Sequence, residues 1–200
     1  MTAPRRVRVI EALTVWSVIL VVLLVCSPPL EFYLKSSDHG MQLALGRQVL
    51  FGRQPFLGTW LFYGPLVAYS SAAGLWLGHG LVPETVICSV GYAVALLVVY
   101  TLVARSAGVL PGLLSVIFAL ELLGRFYKWY YWLIPLLILH AAQSAHPARG
   151  EIGWRRHMGM GLIGGIGWLY RFDLGLASIC FGALIVAMRY WDNRSLAQLT

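Results

Sequence analysis

The chain has 200 residues, of which 59% are hydrophobic and only 12% carry a charge. Soluble domains carry about 25% charged residues, so this composition, with a mean hydropathy of +0.74, excludes an ordinary soluble domain. It predicts an integral membrane protein with several spans of about 20 residues each. The net charge of +7 comes from bases at the ends of apolar runs, which indicates membrane topology and anionic lipid rather than nucleic acid.

Six apolar stretches are predicted to cross the membrane as helices. They are Ile10–Ser27, Glu84–Ala104, Ser106–Leu123, Trp129–Ala145, His157–Tyr170 and Leu174–Tyr190. Arginines precede the first stretch, so we interpret it as a retained span with the N-terminus in the cytoplasm. The expected fold is all-α: a polytopic transmembrane helical bundle of about six spans, in a single membrane domain over residues 1–200.

A seventh apolar stretch, Thr59–Gly78, either crosses the membrane or lies along its outer surface. If it does not cross, nine lysines and arginines fall inside and six outside; if it does cross, the two numbers are exchanged. Because basic residues favour the cytoplasmic side, we expect it to lie at the surface. Residues 28–83 then form one long external segment between the first two spans.

Asp38 is the candidate catalytic residue of this external segment. It precedes a predicted short amphipathic helix, His39–Gly52, with an apolar side from Met41, Ala44, Leu45 and Val49 and a polar side from Gln42, Gly46 and Arg53. Asp38 either caps this helix or acts as a general base that deprotonates an acceptor hydroxyl. His39 is a candidate substrate contact beside it, and metal ligation by His39 is the weaker alternative.

Two groups of basic residues are candidates for binding phosphate on the same external side. Arg171 and Asp173 end one span; the guanidinium either anchors the helix at the interface or binds a lipid-linked phosphate, with Asp173 orienting it. Arg125 and Lys128 lie among aromatic residues that form either an interfacial belt or a phosphate and sugar site.

Small residues and cysteines are assigned to packing. Gly159–Gly164 matches a dinucleotide-binding pattern by letter, but it lies inside an apolar span with no preceding strand. Gly161 and Gly165 are expected to let helices approach closely. The three cysteines lie in apolar runs and are expected to be small core residues rather than a disulfide framework or a zinc site.

Several of these segments together resemble a known enzyme family. The segments are Leu50–Phe56 (LFGRQPF), Tyr63–Leu66 (YGPL), Tyr100–Arg105 (YTLVAR) and Gly161–Gly175 (GLIGGIGWLYRFDLG). Placed after a first span and Asp38, they resemble the N-terminal part of polytopic GT-C type membrane glycosyltransferases, which include mannosyltransferase-like and aminoarabinose-transferase-like enzymes. Many relatives carry a second acid where this chain has His39.

The resemblance implies a function in the cell envelope. A sugar would pass, with inversion, from a polyprenyl-phosphate donor to an extracytoplasmic lipid or glycan acceptor that Asp38 activates. No cofactor is expected, and the localisation would be a bacterial inner membrane. Since relatives usually continue for several hundred residues, the chain is expected to be a truncated N-terminal part. Whether this part is active on its own is left open. The alternative is a non-catalytic membrane scaffold or transporter-like subunit, in which Asp38 only caps a helix.

Overall fold

The computed structural model of the chain describes residues 5–26, 37–54, 63–78, 82–121, 128–143 and 154–197. These residues form eight helices and no strand, which confirms the all-α class for the described part. In chain order the helices are α1 (Arg5–Cys26), α2 (Ser37–Leu50), α3 (Pro65–Leu77), α4 (Val82–Ala107), α5 (Val109–Glu121), α6 (Tyr130–Gln143), α7 (Trp154–Tyr170) and α8 (Phe172–Ala197). Each of the six predicted spans overlaps one of these helices.

One helix in the described part of the chain, α4, is long and apolar enough to cross a membrane by its length and composition. Shorter apolar helical stretches occupy Ile10–Leu23, Val109–Leu120, Trp129–Ala142 and Phe172–Met188. The finding on α4 supports association with a membrane. That the other five helices of the predicted spans also cross the membrane is a proposal.

Helix α1 runs antiparallel to α4. The Tyr100 hydroxyl, near the end of α4, donates a hydrogen bond to Glu11, near the start of α1. Further along α1, Ile19 and Leu23 are buried in one core cluster with Cys88, which lies near the start of α4. Because α4 ends seven residues after Tyr100, α1 reaches this cluster only by running back along α4.

Helices α4 and α5 form a hairpin with Gly108 at the bend. Gly108 has a φ of +98°, a left-handed conformation that glycine adopts readily. Its N–H donates to the Ala104 carbonyl over 3.1 Å and so closes the last turn of α4. The Tyr92 hydroxyl donates to the Ala119 carbonyl at 3.3 Å, which joins the middle of α4 to the far end of α5. Helices α1, α4 and α5 therefore alternate in direction.

Helix α2 packs on α3 through residues predicted to be on its polar side. A Cβ added to Gly46 would lie 2.8 Å from backbone atoms of Ser71 and Ala72, so only glycine permits this approach. Gln42 is 2% exposed, whereas Ala44, predicted to be on the apolar side, is exposed. The predicted faces were right for buried Leu45 and exposed Arg53. They were wrong for Gly46, which is buried because it is small, and for Gln42, which has a hydrogen-bond partner in the core.

Helices α6, α7 and α8 pack together in the second half of the chain. On α7, Gly164 and Gly167 are the buried glycines, and a Cβ on them would meet side chains of α8 and α6, respectively. Gly161 and Gly165, the predicted packing pair, are exposed with no atom within 4 Å of an added Cβ. That prediction was wrong because a spacing of four places two glycines on one helix face without fixing which way the face points.

Candidate functional site

Two cations share one pair of tyrosine rings where α6 begins and α7 ends. Lys128 Nζ lies 5.7 Å from the ring centroids of both Tyr63 and Tyr131. Arg171 Cζ lies 5.8 Å from the Tyr63 centroid and 5.4 Å from the Tyr131 centroid. Ring faces attract cations at such distances. We call Lys128, Arg171, Asp173, Tyr63 and Tyr131 the basic cluster; its three charged groups sum to one positive charge.

Arg171 is oriented by two polar contacts within the basic cluster. Its Nε donates to Asp173 Oδ1 over 2.6 Å, and its Nη1 donates to the Tyr131 hydroxyl. Burial lowers the pKa of Arg171, but the hydrogen bond to Asp173 and the proximity of Tyr131 outweigh it, so the pKa lies above its ordinary value. The side chain keeps 34% of its surface exposed. Since a guanidinium has five N–H donors, three lie outside these two hydrogen bonds and are available to an anion.

Three stacked tyrosines, Tyr131, Tyr130 and Tyr170, join the basic cluster to the helices around it. The Tyr130 ring stacks on Tyr131 at a centroid distance of 5.0 Å and on Tyr170 at 4.7 Å. The Gln42 amide donates to the Tyr130 hydroxyl over 3.2 Å, which ties α2 to the stack. The Gly64 N–H donates to the Tyr170 carbonyl over 2.7 Å, which fixes the segment carrying the neighbouring Tyr63. The tyrosine rings that face the two cations are thus held by α2, α3 and α7.

A second polar group, which we call the buried triad, joins α2 to α4. His39 Nε2 and Glu84 Oε2 are 2.9 Å apart, and the Cys88 thiol donates to Glu84 Oε1 over 3.4 Å. His39, Glu84 and Cys88 are only 2%, 2% and 4% exposed. A Cβ added to Gly74 on α3 would lie 2.7 Å from the Glu84 Cα, so α3 encloses the Glu84 stem.

The structure brings together some of the predicted site residues. Arg171, Asp173 and Lys128 meet in the basic cluster, whereas His39 faces inward into the buried triad. Helix α2 begins at Ser37, so Asp38 lies in its first turn rather than at the predicted N-cap, and its side chain lies outside the described part. Arg125 also lies outside the described residues.

Sequence reasoning missed the residues that complete both polar groups. Tyr131 was part of an aromatic run, and nothing in that run distinguishes the ring that faces Arg171. The sequence alone indicates Glu84 only as the start of a span and Cys88 only as a small core residue. Their spacing of four residues, which places both on one helix face, was the available indication.

An apolar groove of about 480 Å³ lies between α6, α7 and α8. Its lining is mostly apolar, with Ile138, Met160 and Gly182 among others, and also includes His157 and Ser178. Met160 is eleven residues before Arg171, which corresponds to about 16 Å along a helix. A groove of this composition suits a hydrocarbon chain rather than a polar ligand.

No family model, curated protein or solved structure matches the chain.

Proposed function

We propose that the protein binds a polyprenyl-phosphate-linked sugar and transfers the sugar to an extracytoplasmic acceptor. The observation that carries this proposal is the convergence of Lys128 and Arg171, which are 43 positions apart in the chain, on the Tyr63 and Tyr131 rings. Two cations at one place, with the Asp173 carboxylate bonded to Arg171, leave one positive charge, which favours a further anion. A guanidinium with donors left over is well suited to phosphate oxygens.

Transfer needs a donor held by its phosphate and an acceptor that is deprotonated. In the proposed step, an acceptor hydroxyl oxygen forms a bond to the sugar C1 while the bond from C1 to the phosphate oxygen breaks. Asp38 takes the hydroxyl proton, and polyprenyl phosphate leaves with the bonding electrons. Arg171 and Lys128 stabilise the charge that develops on the leaving phosphate. The polyprenyl chain occupies the apolar groove along α7 and α8.

The proposed topology has six spans: α1, α4, α5, α6, α7 and α8. Support comes from the antiparallel pairing of α1 and α4, because the chain must then cross the membrane an even number of times between them. Large apolar side chains also point away from the protein on several helices, as lipid-facing residues do. Leu110 and Phe118 of α5 are both 68% exposed, as is Leu162 of α7. The basic cluster would lie on the external side.

Labelling of single cysteines in intact bacterial cells tests this topology. Phe172→Cys and Ala107→Cys, both at exposed positions, are introduced singly into a background with Cys26 and Cys180 replaced by serine. Buried Cys88 stays in this background, which alone is the unlabelled control. We expect a membrane-impermeant maleimide to label the Phe172→Cys variant at once and the Ala107→Cys variant only after permeabilisation. The reverse pattern would place the basic cluster in the cytoplasm and exclude an external donor site.

Binding of polyprenyl phosphate to the purified protein tests the role of the basic cluster. Arg171→Ala is expected to weaken binding by roughly 10- to 100-fold, because it removes charge-assisted hydrogen bonds worth about 1.5–3 kcal/mol. Lys128→Ala is expected to cost roughly tenfold. Neutral polyprenol of the same length should bind all variants alike.

Arg155→Ala is the matched control for Arg171→Ala. Arg155 also lies over an aromatic ring, at 5.8 Å from Trp154, but at the opposite end of α7. Its removal is expected to leave polyprenyl-phosphate affinity unchanged. Equal affinities of the Arg171→Ala and Arg155→Ala variants would remove the donor site and favour the non-catalytic scaffold.

A further inference from the structure

We propose that the buried triad of His39, Glu84 and Cys88 is a binding site for a divalent transition metal of the zinc type. One donor atom from each residue lies within 4.8 Å of the other two. A tetrahedral ion with bonds of about 2.0–2.3 Å separates its ligand atoms by roughly 3.3–3.8 Å. His39 Nε2 contacts Glu84 Oε2 at 2.9 Å and Cys88 Sγ contacts Glu84 Oε1 at 3.4 Å, so shifts of about 1 Å or less bring one donor atom of each residue to these separations.

The donor atoms select the class of metal. An imidazole nitrogen, a carboxylate oxygen and a sulfur are the ligands that zinc, cobalt and iron accept, whereas magnesium and calcium prefer oxygen alone. The set leaves a fourth position for a ligand that the triad does not supply.

Charge balance in the enclosed site is consistent with a divalent ion. A thiolate, a carboxylate and a neutral imidazole together carry two negative charges, which one divalent cation neutralises. Neutrality matters here because all three side chains are almost fully excluded from solvent, where an unbalanced charge is costly. The thiol proton is released when the ion binds.

The ligands come from two helices, and His39 on α2 is 45 positions before Glu84 on α4 in the chain. A bound ion would therefore fasten the start of α2 to the start of α4. The third helix of the region, α3, already encloses the Glu84 stem through Gly74 and limits the positions that the carboxylate can take. The role we assign to the ion is structural, since all three ligand side chains are at most 4% exposed. Metal binding does not rest on the proposed transferase activity.

Cobalt spectroscopy of a variant in which Cys88 is the single cysteine tests the proposal. Cys26→Ser and Cys180→Ser are combined, the affinity tag is removed, and Co²⁺ is added to the purified protein in detergent. We expect a thiolate-to-cobalt charge-transfer band together with the visible bands of tetrahedral cobalt, saturating close to one ion per chain. Zn²⁺ should displace Co²⁺ and abolish the bands. A variant that folds and shows no charge-transfer band would overturn the proposal.

Two further substitutions in the same background locate the ion. His39→Asn and Glu84→Gln are each expected to weaken Co²⁺ binding at least tenfold, because each removes one ligand. His157→Asn, which replaces an exposed histidine of α7, is the control that should leave the spectrum unchanged. Cobalt bands of equal strength in the His39→Asn and His157→Asn variants would place the metal elsewhere and overturn the site.

Discussion

Replacing Gly64 with alanine is expected to destabilise the protein by about 3 kcal/mol, the largest effect of a methyl addition among the glycines that the structure describes. The added Cβ would lie 2.0 Å from the Leu169 carbonyl oxygen and 2.9 Å from the Tyr170 carbonyl carbon. Both are backbone atoms, so no side-chain rotation relieves the overlap. Helix α3 would have to move away from α7, which breaks the Gly64 to Tyr170 hydrogen bond. Chemical unfolding in detergent measures the loss.

Gly161→Ala is the control for this experiment because Gly161 lies on α7 with no atom within 4 Å of an added Cβ. It is expected to stabilise the helix by up to about 1 kcal/mol, since alanine is the better helix former. If Gly64→Ala and Gly161→Ala unfolded at the same denaturant concentration, the close approach of α3 and α7 would be wrong. The Tyr63 ring would then have no fixed position opposite the two cations.

Replacing Asp38 with asparagine is expected to lower sugar transfer by about 10²- to 10⁴-fold, the range over which a general base contributes. Asparagine keeps the size of the side chain but cannot take the acceptor's proton. The first turn of a helix favours the ionised carboxylate that a base needs. The neighbouring His39 is bonded to Glu84, which holds this turn in place. The measurement is transfer of labelled sugar in proteoliposomes at saturating donor.

Asp173→Asn separates a base from a positioning residue in the same assay. Asp173 acts through the Arg171 guanidinium, so the Asp173→Asn substitution is expected to weaken donor binding. Excess donor should largely restore the rate of transfer. Asp38→Asn should do the reverse, with unchanged donor affinity and lost turnover. Retained transfer in the Asp38→Asn variant would end the assignment of Asp38 as the base and leave it a structural residue in the first turn of α2.

The helices were predictable from the sequence because apolar runs and their Gly, Pro and charged boundaries are local features. Gly108, for example, ends α4 through its own backbone conformation. The sequence predicted only that Arg171 and Lys128 lie on the same side of the membrane, not that they meet at one site. Which rings they face depends on packing between α3, α6 and α7, and no local pattern specifies it.

The buried triad shows why the remaining part of the site escaped prediction. His39 and Glu84 are far apart in the chain, and each alone has an ordinary explanation in its own helix. The same holds for the faces of α2: a count of apolar residues treats Gly46 and Gln42 as surface residues, whereas one is buried for its small size and the other for its hydrogen bond to Tyr130. Tertiary contacts of this kind are not encoded in periodicity.

The position of α2 has a consequence for how the protein is made. Its two buried polar side chains find their partners late in synthesis, since Glu84 follows His39 by 45 residues and Tyr130 follows Gln42 by 88. Until α6 has left the ribosome and packed in place, the Gln42 amide lacks its native acceptor, the Tyr130 hydroxyl. The first third of the chain therefore cannot reach its final arrangement as it emerges. Any truncation before Tyr130 leaves α2 without its second anchor.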